Sequence, residues 1–203
     1  MKSRGFVDLF YEEELLEVLK SHEALRKGHF VLSSGFHSDT YIQCMNVLKY
    51  PALANRIAIA MSEPYFDVPI DVVVAPAVGG VVLGFAVAQA LDKRFVFAER
   101  ENGQMALRRG FKLYEGERVL IVDDVVTKGG SLKEVIDLVK DAGAKIVGIN
   151  CLIDRGEDKI FAEPLASLIK VPTISYKPEE CPLCMKKVPL ISPGSRRLLK
   201  FIE

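Results

Sequence analysis

The feature that most constrains this chain is an alternation of short, apolar, β-branched runs with segments of helical length. Residues 71–75, 95–98, 118–122 and 145–153 read as strands buried on both faces, and 168–174 as a fifth. Residues 81–91 and 131–141 suit packed helices, the second stopped by Gly143. Strands alternating with helices predict an α/β fold, a doubly wound and mainly parallel five-stranded sheet flanked by helices. Ahead of it, residues 11–25 carry Leu15, Leu16, Val18, Leu19 and Leu25 among charges, a one-sided helical pattern. Residues 30–44, rich in Ser, Gly and His, read as short strands and turns, and 52–61 as a helix.

Bulk properties narrow the function classes. Hydrophobic residues make up 49% of 203, enough for a sizeable core. Lys+Arg and Asp+Glu both number 27, so the charge balance gives no support to nucleic-acid binding. Residues 1–10 are too short and polar for a secretory signal, and no apolar run reaches membrane-spanning length. The expectation is a soluble cytoplasmic protein without nucleic-acid or membrane partners.

In open α/β sheets, ligands bind beyond the C-terminal ends of the strands. Residues 75–80, 123–131 and 154–155 lie there. The most informative stretch is 119–131: a buried strand, then Asp123 and Asp124, then Thr127, Lys128, Gly129, Gly130 and Ser131 opening a helix. Glycines let backbone N–H groups approach an anion, and a helix N-terminus adds unpaired donors and a favourable dipole. Adjacent carboxylates suit vicinal sugar hydroxyls or a Mg²⁺ ion bridging them. Hydroxyls and phosphate lie at opposite ends of a ribose 5-phosphate, which the order of the acid pair and the phosphate cup matches. The simpler alternative is a strand followed by a helix capped by Thr127 or Ser131. The spacings of a nucleotide-triphosphate P-loop and of a dinucleotide fingerprint are both absent. Residues 99–110 are polar and carry Arg100, Arg108 and Arg109. They form either a solvated hairpin or an anion-binding lid, and their placement favours the lid.

The stretch resembles the phosphoribosyl diphosphate signature of type I phosphoribosyltransferases. With residues 27–38, 75–80, 97–111 and 154–155 in order, the chain is similar to the orotate phosphoribosyltransferase family, in particular a short form with a Cys-Pro-Leu-Cys segment like residues 181–184. The organisation expected is a single domain over 1–203. Residues of about 46–174 form its core, about 1–45 and 175–203 form a small hood and peripheral segments, and a basic lid hairpin completes it. The resemblance implies transfer of a phosphoribosyl group from phosphoribosyl diphosphate to orotate, with Mg²⁺ as cofactor.

It also implies residue roles. Asp123 and Asp124 hold the ribose hydroxyls, near a Mg²⁺ bound through these hydroxyls and the diphosphate. Val125, Val126, Thr127, Lys128, Gly129, Gly130 and Ser131 wrap the 5-phosphate. Ala77, Val78, Gly79 and Gly80 face the diphosphate. Arg100, with Arg108 and Arg109, closes over it from the neighbouring subunit of a homodimer. Arg155 pairs with the orotate carboxylate, Thr127 also nears the base, and Ser33, Ser34 and Gly35 wall its pocket. The chain departs from the family pattern in having Glu101, Gly79 and Ser33 where better-known members carry lysines, and Lys128 where threonine is usual.

Several single residues have plainer readings. Arg155 could be a structural ion-pair partner of Asp154, and His37 a surface or hydrogen-bonding histidine. Cys44 and Cys151 read as core residues. Cys181 and Cys184 have zinc-knuckle spacing, but the histidines lie far away in sequence. The expectation is a cysteine-bearing turn, with pooling of pairs between two protomers as the other possibility. Two further functions stay open: a purine or xanthine phosphoribosyltransferase on the same scaffold, and a non-catalytic sensor of the phosphoribosyl donor.

Overall fold

The computed structural model describes residues 12–32, 34–156 and 160–193. In chain order its elements are α1 (Glu12–Ser21), β1 (Leu25–Val31), β2 (His37–Ile42), α2 (Met45–Leu48), α3 (Pro51–Ser62), β3 (Val72–Pro76), α4 (Gly79–Leu91), β4 (Arg94–Glu101), β5 (Gln104–Leu107), β6 (Arg118–Val126), α5 (Gly130–Asp141), β7 (Lys145–Asp154), β8 (Leu165–Lys170), β9 (Ser175–Tyr176) and α6 (Pro182–Met185). The main sheet has the order β5-β4-β3-β6-β7-β8. Its β4, β3, β6, β7 and β8 are parallel, as expected, and β5 adds a sixth, antiparallel strand on β4. That extra strand is the return arm of the basic segment. The Asn102–Gly103 turn closes it with φ of 51° and 87°, the positive pair that a two-residue hairpin requires.

Alternate residues of the central strands feed two cores. Val73, Leu120, Val122 and Leu152 face α1, α3 and α4 through Leu15, Leu19, Ile57, Met61, Leu83 and Val87. Val72, Val74, Val119, Ile121 and Ile149 face α5 through Leu132, Val135, Ile136 and Val139. A strand apolar at every position is the sequence mark of burial on both faces, which is why the runs at 72–74 and 119–122 do not alternate with polar residues.

Two boundaries differ from expectation for local reasons. The first helix stops at Ser21 because Glu23 turns left-handed (φ 56°). The Glu23 N–H then donates to the Lys20 carbonyl and the Ala24 N–H to that of Leu19, a Schellman closure. Leu25 therefore begins a strand. The last strand of the main sheet ends at Lys170, and Pro172, with no N–H to give a ladder, lies beyond it. Residues Ser175–Tyr176 instead join β2 in a separate antiparallel sheet of order β1-β2-β9.

The connections set the site. From β3 the chain passes through α4 on one face to β4 on one side. It later returns to the other side of β3 as β6 and leaves through α5 on the opposite face. This reversal opens a crevice at the C-terminal ends of β3 and β6. No helix among the described residues is long and apolar enough to cross a membrane.

Candidate active site

The acid pair stands at the end of β6. Asp123 is buried and Asp124 half-buried. The Asp124 N–H donates to Asp123 Oδ1 at 2.9 Å, and the Val125 N–H to Asp124 Oδ1 at 2.9 Å. Burial, and then the neighbouring Asp124 carboxylate, push Asp123 well above the ordinary carboxylate range; burial raises Asp124 as well. Ionised, the pair is a concentrated negative site that calls for hydroxyl donors or a cation.

The β3–α4 turn lies directly against it. A Cβ on Gly79 would stand 2.8 Å from Asp124 Oδ1 and 3.0 Å from Oδ2, so a side chain there would have to displace the Asp124 carboxylate. A Cβ on Gly80 would stand 3.1 Å from Asp123 Oδ1. Both carboxylates therefore face the start of α4. Ala77 is anchored by its N–H to the Ala98 carbonyl at 2.7 Å, and Val78 is 81% exposed.

Beyond the acids, Thr127 and Lys128 are exposed and Ser131 half-buried. Gly129 is the N-cap of α5 in the left-handed region (φ 67°), and no side chain caps the helix. The alternative in which Thr127 or Ser131 serves as a cap is thus not realised. The first-turn N–H groups of α5 have no acceptor within the helix, and Gly130 among them is exposed. A Cβ on Gly129 would come within 2.5 Å of Phe161 Cζ, so the turn is packed from behind as well as bent.

Arg155 follows β7, the strand next to β6. Its N–H donates to the Val126 carbonyl at 2.8 Å, which ties it to the phosphate turn, and its Nε donates to Thr173 Oγ1 at 2.9 Å. Asp154 is engaged elsewhere, accepting from the Gly156 N–H at 2.9 Å and standing 3.8 Å from Lys170 Nζ. Burial lowers the Arg155 pKa, as expected of a guanidinium held in a partly enclosed place. Cys44 is buried nearby, its Sγ 4.0 Å from the Asp124 carbonyl. Burial and then the acid pair raise its pKa well above the usual thiol value, which makes it an inert core residue. Cys151 is buried too.

The remaining expected residues are placed differently. Ser33 lies outside the described residues. Ser34 and Gly35 form the tip of the β1–β2 hairpin, where the Gly35 N–H donates to the Leu32 carbonyl at 2.8 Å. That hairpin is joined to Arg155 through residues 171–176: Thr173 accepts from Arg155, and the Ser38 hydroxyl donates to the Ile174 carbonyl at 3.0 Å. The lid arginines are engaged with acids. Arg100 makes a two-pronged pair with Glu134 of α5 at 2.8 and 3.1 Å, and Glu134 also accepts from the Met105 N–H at 3.0 Å. Arg108 lies 3.2 Å from Glu101, and Arg109 3.1 Å from Glu99. The acid pair, the β3–α4 turn, the glycine turn that opens α5 and Arg155 are thus brought together, while the arginines of residues 99–110 are held by Glu99, Glu101 and Glu134. Glu134 is a residue that sequence reasoning did not single out.

Comparison with known proteins agrees with this geometry. A family model described as phosphoribosyl transferase domain matches residues 45–174. The orotate phosphoribosyltransferase of Caldanaerobacter subterraneus subsp. tengcongensis is 47% identical over 188 residues, covering 92% of this chain and 99% of that protein. That of Thermotoga maritima is 46% identical over 183 residues, covering 90% and 98%. Among solved structures, the orotate phosphoribosyltransferase of Aeropyrum pernix superposes with a TM-score of 0.64 at 27% identity over 76% of this chain and 93% of that one. The chain belongs to the phosphoribosyl transferase family and, within it, to the orotate phosphoribosyltransferases.

Proposed function

We propose that this chain transfers the 5-phosphoribosyl group of phosphoribosyl diphosphate to orotate, giving orotidine 5′-phosphate and diphosphate in pyrimidine biosynthesis. The observation that carries the reading is the crevice between β3 and β6. There Asp123, Asp124, the glycine turn 79–80 and the uncapped start of α5 converge, with Arg155 bonded to the same turn through Val126.

The residues divide the donor among themselves. Asp123 and Asp124 accept hydrogen bonds from the ribose hydroxyls. Residues 125–131 receive the 5-phosphate on main-chain N–H groups and on the Thr127 and Ser131 hydroxyls. Residues 77–80 face the diphosphate. Arg155, a planar donor fixed by Thr173, pairs with the orotate carboxylate, while Ser33, Ser34 and Gly35 close the base pocket. A bond forms between a ring nitrogen of orotate and carbon 1 of the ribose as the bond from carbon 1 to the diphosphate oxygen breaks. Orotate enters as its carboxylate anion, the proton of the attacking ring nitrogen leaves to solvent or to the departing diphosphate, and the chain supplies alignment and charge stabilisation.

Mg²⁺ fits the site: two carboxylates whose burial opposes their ionisation form a hard oxygen set suited to a divalent cation. Asp123 and Asp124 would hold it through the ribose hydroxyls, where it offsets the charge of the diphosphate.

A homodimer with shared sites belongs to the same reading. Val78 at the N-cap of α4, with Val82 and Phe85 on the helix, form an exposed apolar stripe, continued by ring contacts from Phe85 to the half-buried Phe95, Phe97 and Phe111 beside the lid. A stripe of this kind next to the crevice supports a partner there. Arg100, Arg108 and Arg109 would then exchange their carboxylate partners for the partner subunit's diphosphate.

The test is a base panel. Protein, Mg²⁺ and phosphoribosyl diphosphate should consume orotate and leave adenine, hypoxanthine, xanthine and uracil untouched. Turnover of a purine with none of orotate would replace this reading with a purine enzyme. Donor binding without turnover of any base would replace it with a sensor.

A further inference from the structure

Away from the sheet, four soft ligands converge between the β1–β2 hairpin and the C-terminal segment. His29 Nε2 lies 3.1 Å from His37 Nδ1, 3.5 Å from Cys181 Sγ and 3.6 Å from Cys184 Sγ. Cys184 Sγ lies 3.2 Å from His37 Nδ1, and one ligand atom of each residue is within 4.8 Å of all the others. His29, His37 and Cys181 are buried and Cys184 is exposed. Neither the expected plain cysteine turn nor the alternative in which two protomers pool their pairs included these histidines. The hairpin brings to Cys181 and Cys184 two histidines that are remote in sequence.

Hydrogen bonding alone does not account for the arrangement. His29 Nδ1 is 2.8 Å from the Val188 carbonyl oxygen and must carry its proton there. Nε2 is left with a single lone pair, which one hydrogen would satisfy, yet three groups crowd it. A cation satisfies all of them together. Around a tetrahedral zinc, with Zn–N of about 2.0–2.1 Å and Zn–S of about 2.3 Å, neighbouring ligand atoms stand about 3.3–3.8 Å apart. The four separations above fall in that range or slightly below it. An imidazole that binds metal through one nitrogen commonly gives its other N–H to a main-chain carbonyl, as His29 does.

We propose that this chain binds one zinc ion through His29 Nε2, His37 Nδ1, Cys181 Sγ and Cys184 Sγ. Two imidazoles and two thiolates in tetrahedral array select zinc over the hard cations that suit the carboxylates of the crevice. Four protein ligands leave no open position, so the ion is structural. Each thiol releases its proton to solvent on binding, the imidazoles stay neutral, and nothing is oxidised or reduced. The ion fastens α6 and its flanks to β1 and β2, beside the backbone bonds that Ile191 makes with His29 at 2.8 Å and Val31 at 3.0 Å. It thereby fixes the end of the hairpin next to the turn that carries Ser34 and Gly35. The proposal does not depend on the reaction catalysed.

Elemental analysis of the full chain, purified without chelator or metal-affinity resin, should give about one zinc per chain, consistent with a closed four-ligand site. Cys184→Ser, at the exposed ligand, should lose it, and Cys151→Ala, in the sheet core, should keep it. Cobalt(II) added to reduced, metal-stripped wild-type protein should give tetrahedral d–d bands with thiolate charge transfer, which zinc then abolishes; this arm needs no variant to fold. A cobalt spectrum of that kind supports the site even if the purified protein carries little zinc. Absence of both zinc and the cobalt bands overturns the proposal. So does a full zinc count in Cys184→Ser, or a Cys181–Cys184 disulfide in freshly purified protein.

Discussion

At the scale of single residues, Asp123 carries an opposition between function and stability. Burial and the adjacent Asp124 raise its pKa in the folded chain above the value of about 3.9 expected when unfolded. A raised folded pKa means that the stabilising contribution is complete below the unfolded value and lost as pH rises through the folded one. At neutral pH the ionised Asp123 therefore opposes folding. Asp71 has the opposite sign: hydrogen bonds from Arg118 hold its carboxyl well below the usual range, so its contribution disappears as pH falls. The effect of the pair is thus read as a difference between wild type and variant. Asp123→Asn should raise the neutral-pH Tm, by about 2–4 °C for each kcal/mol recovered, and flatten its pH dependence. It should also lower kcat/KM about 10²–10³-fold, as loss of a preorganised charge-stabilising group does. Thermal scans from pH 5 to 8 beside kinetics check both; an unchanged or lower Tm at neutral pH contradicts the argument. Arg155→Gln keeps the contact to Thr173 within reach but removes the charge proposed to pair with the orotate carboxylate. It should cost about 2–4 kcal/mol in kcat/KM for orotate, roughly 30- to 1000-fold, with little change in donor affinity by titration calorimetry. The acid pair and Arg155 were legible because strand ends in a doubly wound sheet are where ligands bind. Gly79 was legible as a turn, but its contact with Asp124 needed the β3–β6 crossover, which no local pattern encodes.

Among elements, the lid hairpin is the one with two possible sets of partners. Glu134 on α5 holds β4 through Arg100 and β5 through the Met105 N–H. Arg100 in turn holds Glu134 below the ordinary range for a glutamate. The pair is partly exposed, with side chains 47% and 36% accessible, so its net worth is at the modest scale of surface pairs, about 0.2–1 kcal/mol. That is small enough for a polyanion to displace. Glu134→Gln should accelerate hydrogen exchange at residues 100–107 by a few-fold, about the Boltzmann factor of such a pair. It should leave the protection of β6 and β7 unchanged. Equal exchange in the variant and wild type would mean that Glu134 does not hold the lid. The hairpin itself was readable: Asn102-Gly103 is the strongest short-range hairpin signal a sequence can carry. The end of β8 at Lys170 departs from the strand expected over 168–174, although Pro172, which cannot continue a ladder, was there to mark it. What was not readable was the metal cluster, because His29 and His37 become neighbours only through the pairing of β1 with β2, and Cys181 and Cys184 reach them only through the C-terminal return.

For the whole molecule, the decisive matter is where the lid cations act. Within one chain, Arg100, Arg108 and Arg109 are matched by Glu134, Glu101 and Glu99, while the crevice between β3 and β6 has no lid arginine at its acid pair. The exposed stripe Val78, Val82 and Phe85 begins at the β3–α4 turn itself, so a second copy seated on α4 would set its lid beside that turn. If sites are shared in this way, Asp123→Asn and Arg100→Gln damage different halves of each site. Each homodimer is then inactive at both sites. A mixed dimer, however, places both lesions in one site and leaves the other intact. After dissociation and random reassociation, half of the dimers are mixed and each has one sound site, so activity should return to about a quarter of wild type, as two-fold symmetry requires. Phe85→Glu, which puts a charge on the stripe, should shift sedimentation to the monomer and abolish this complementation. If the mixture stays as inactive as its parents while exchange of subunits is shown by mass-tagged chains, each chain closes its own lid over its own crevice. Glu134 must then release Arg100 within a single protomer.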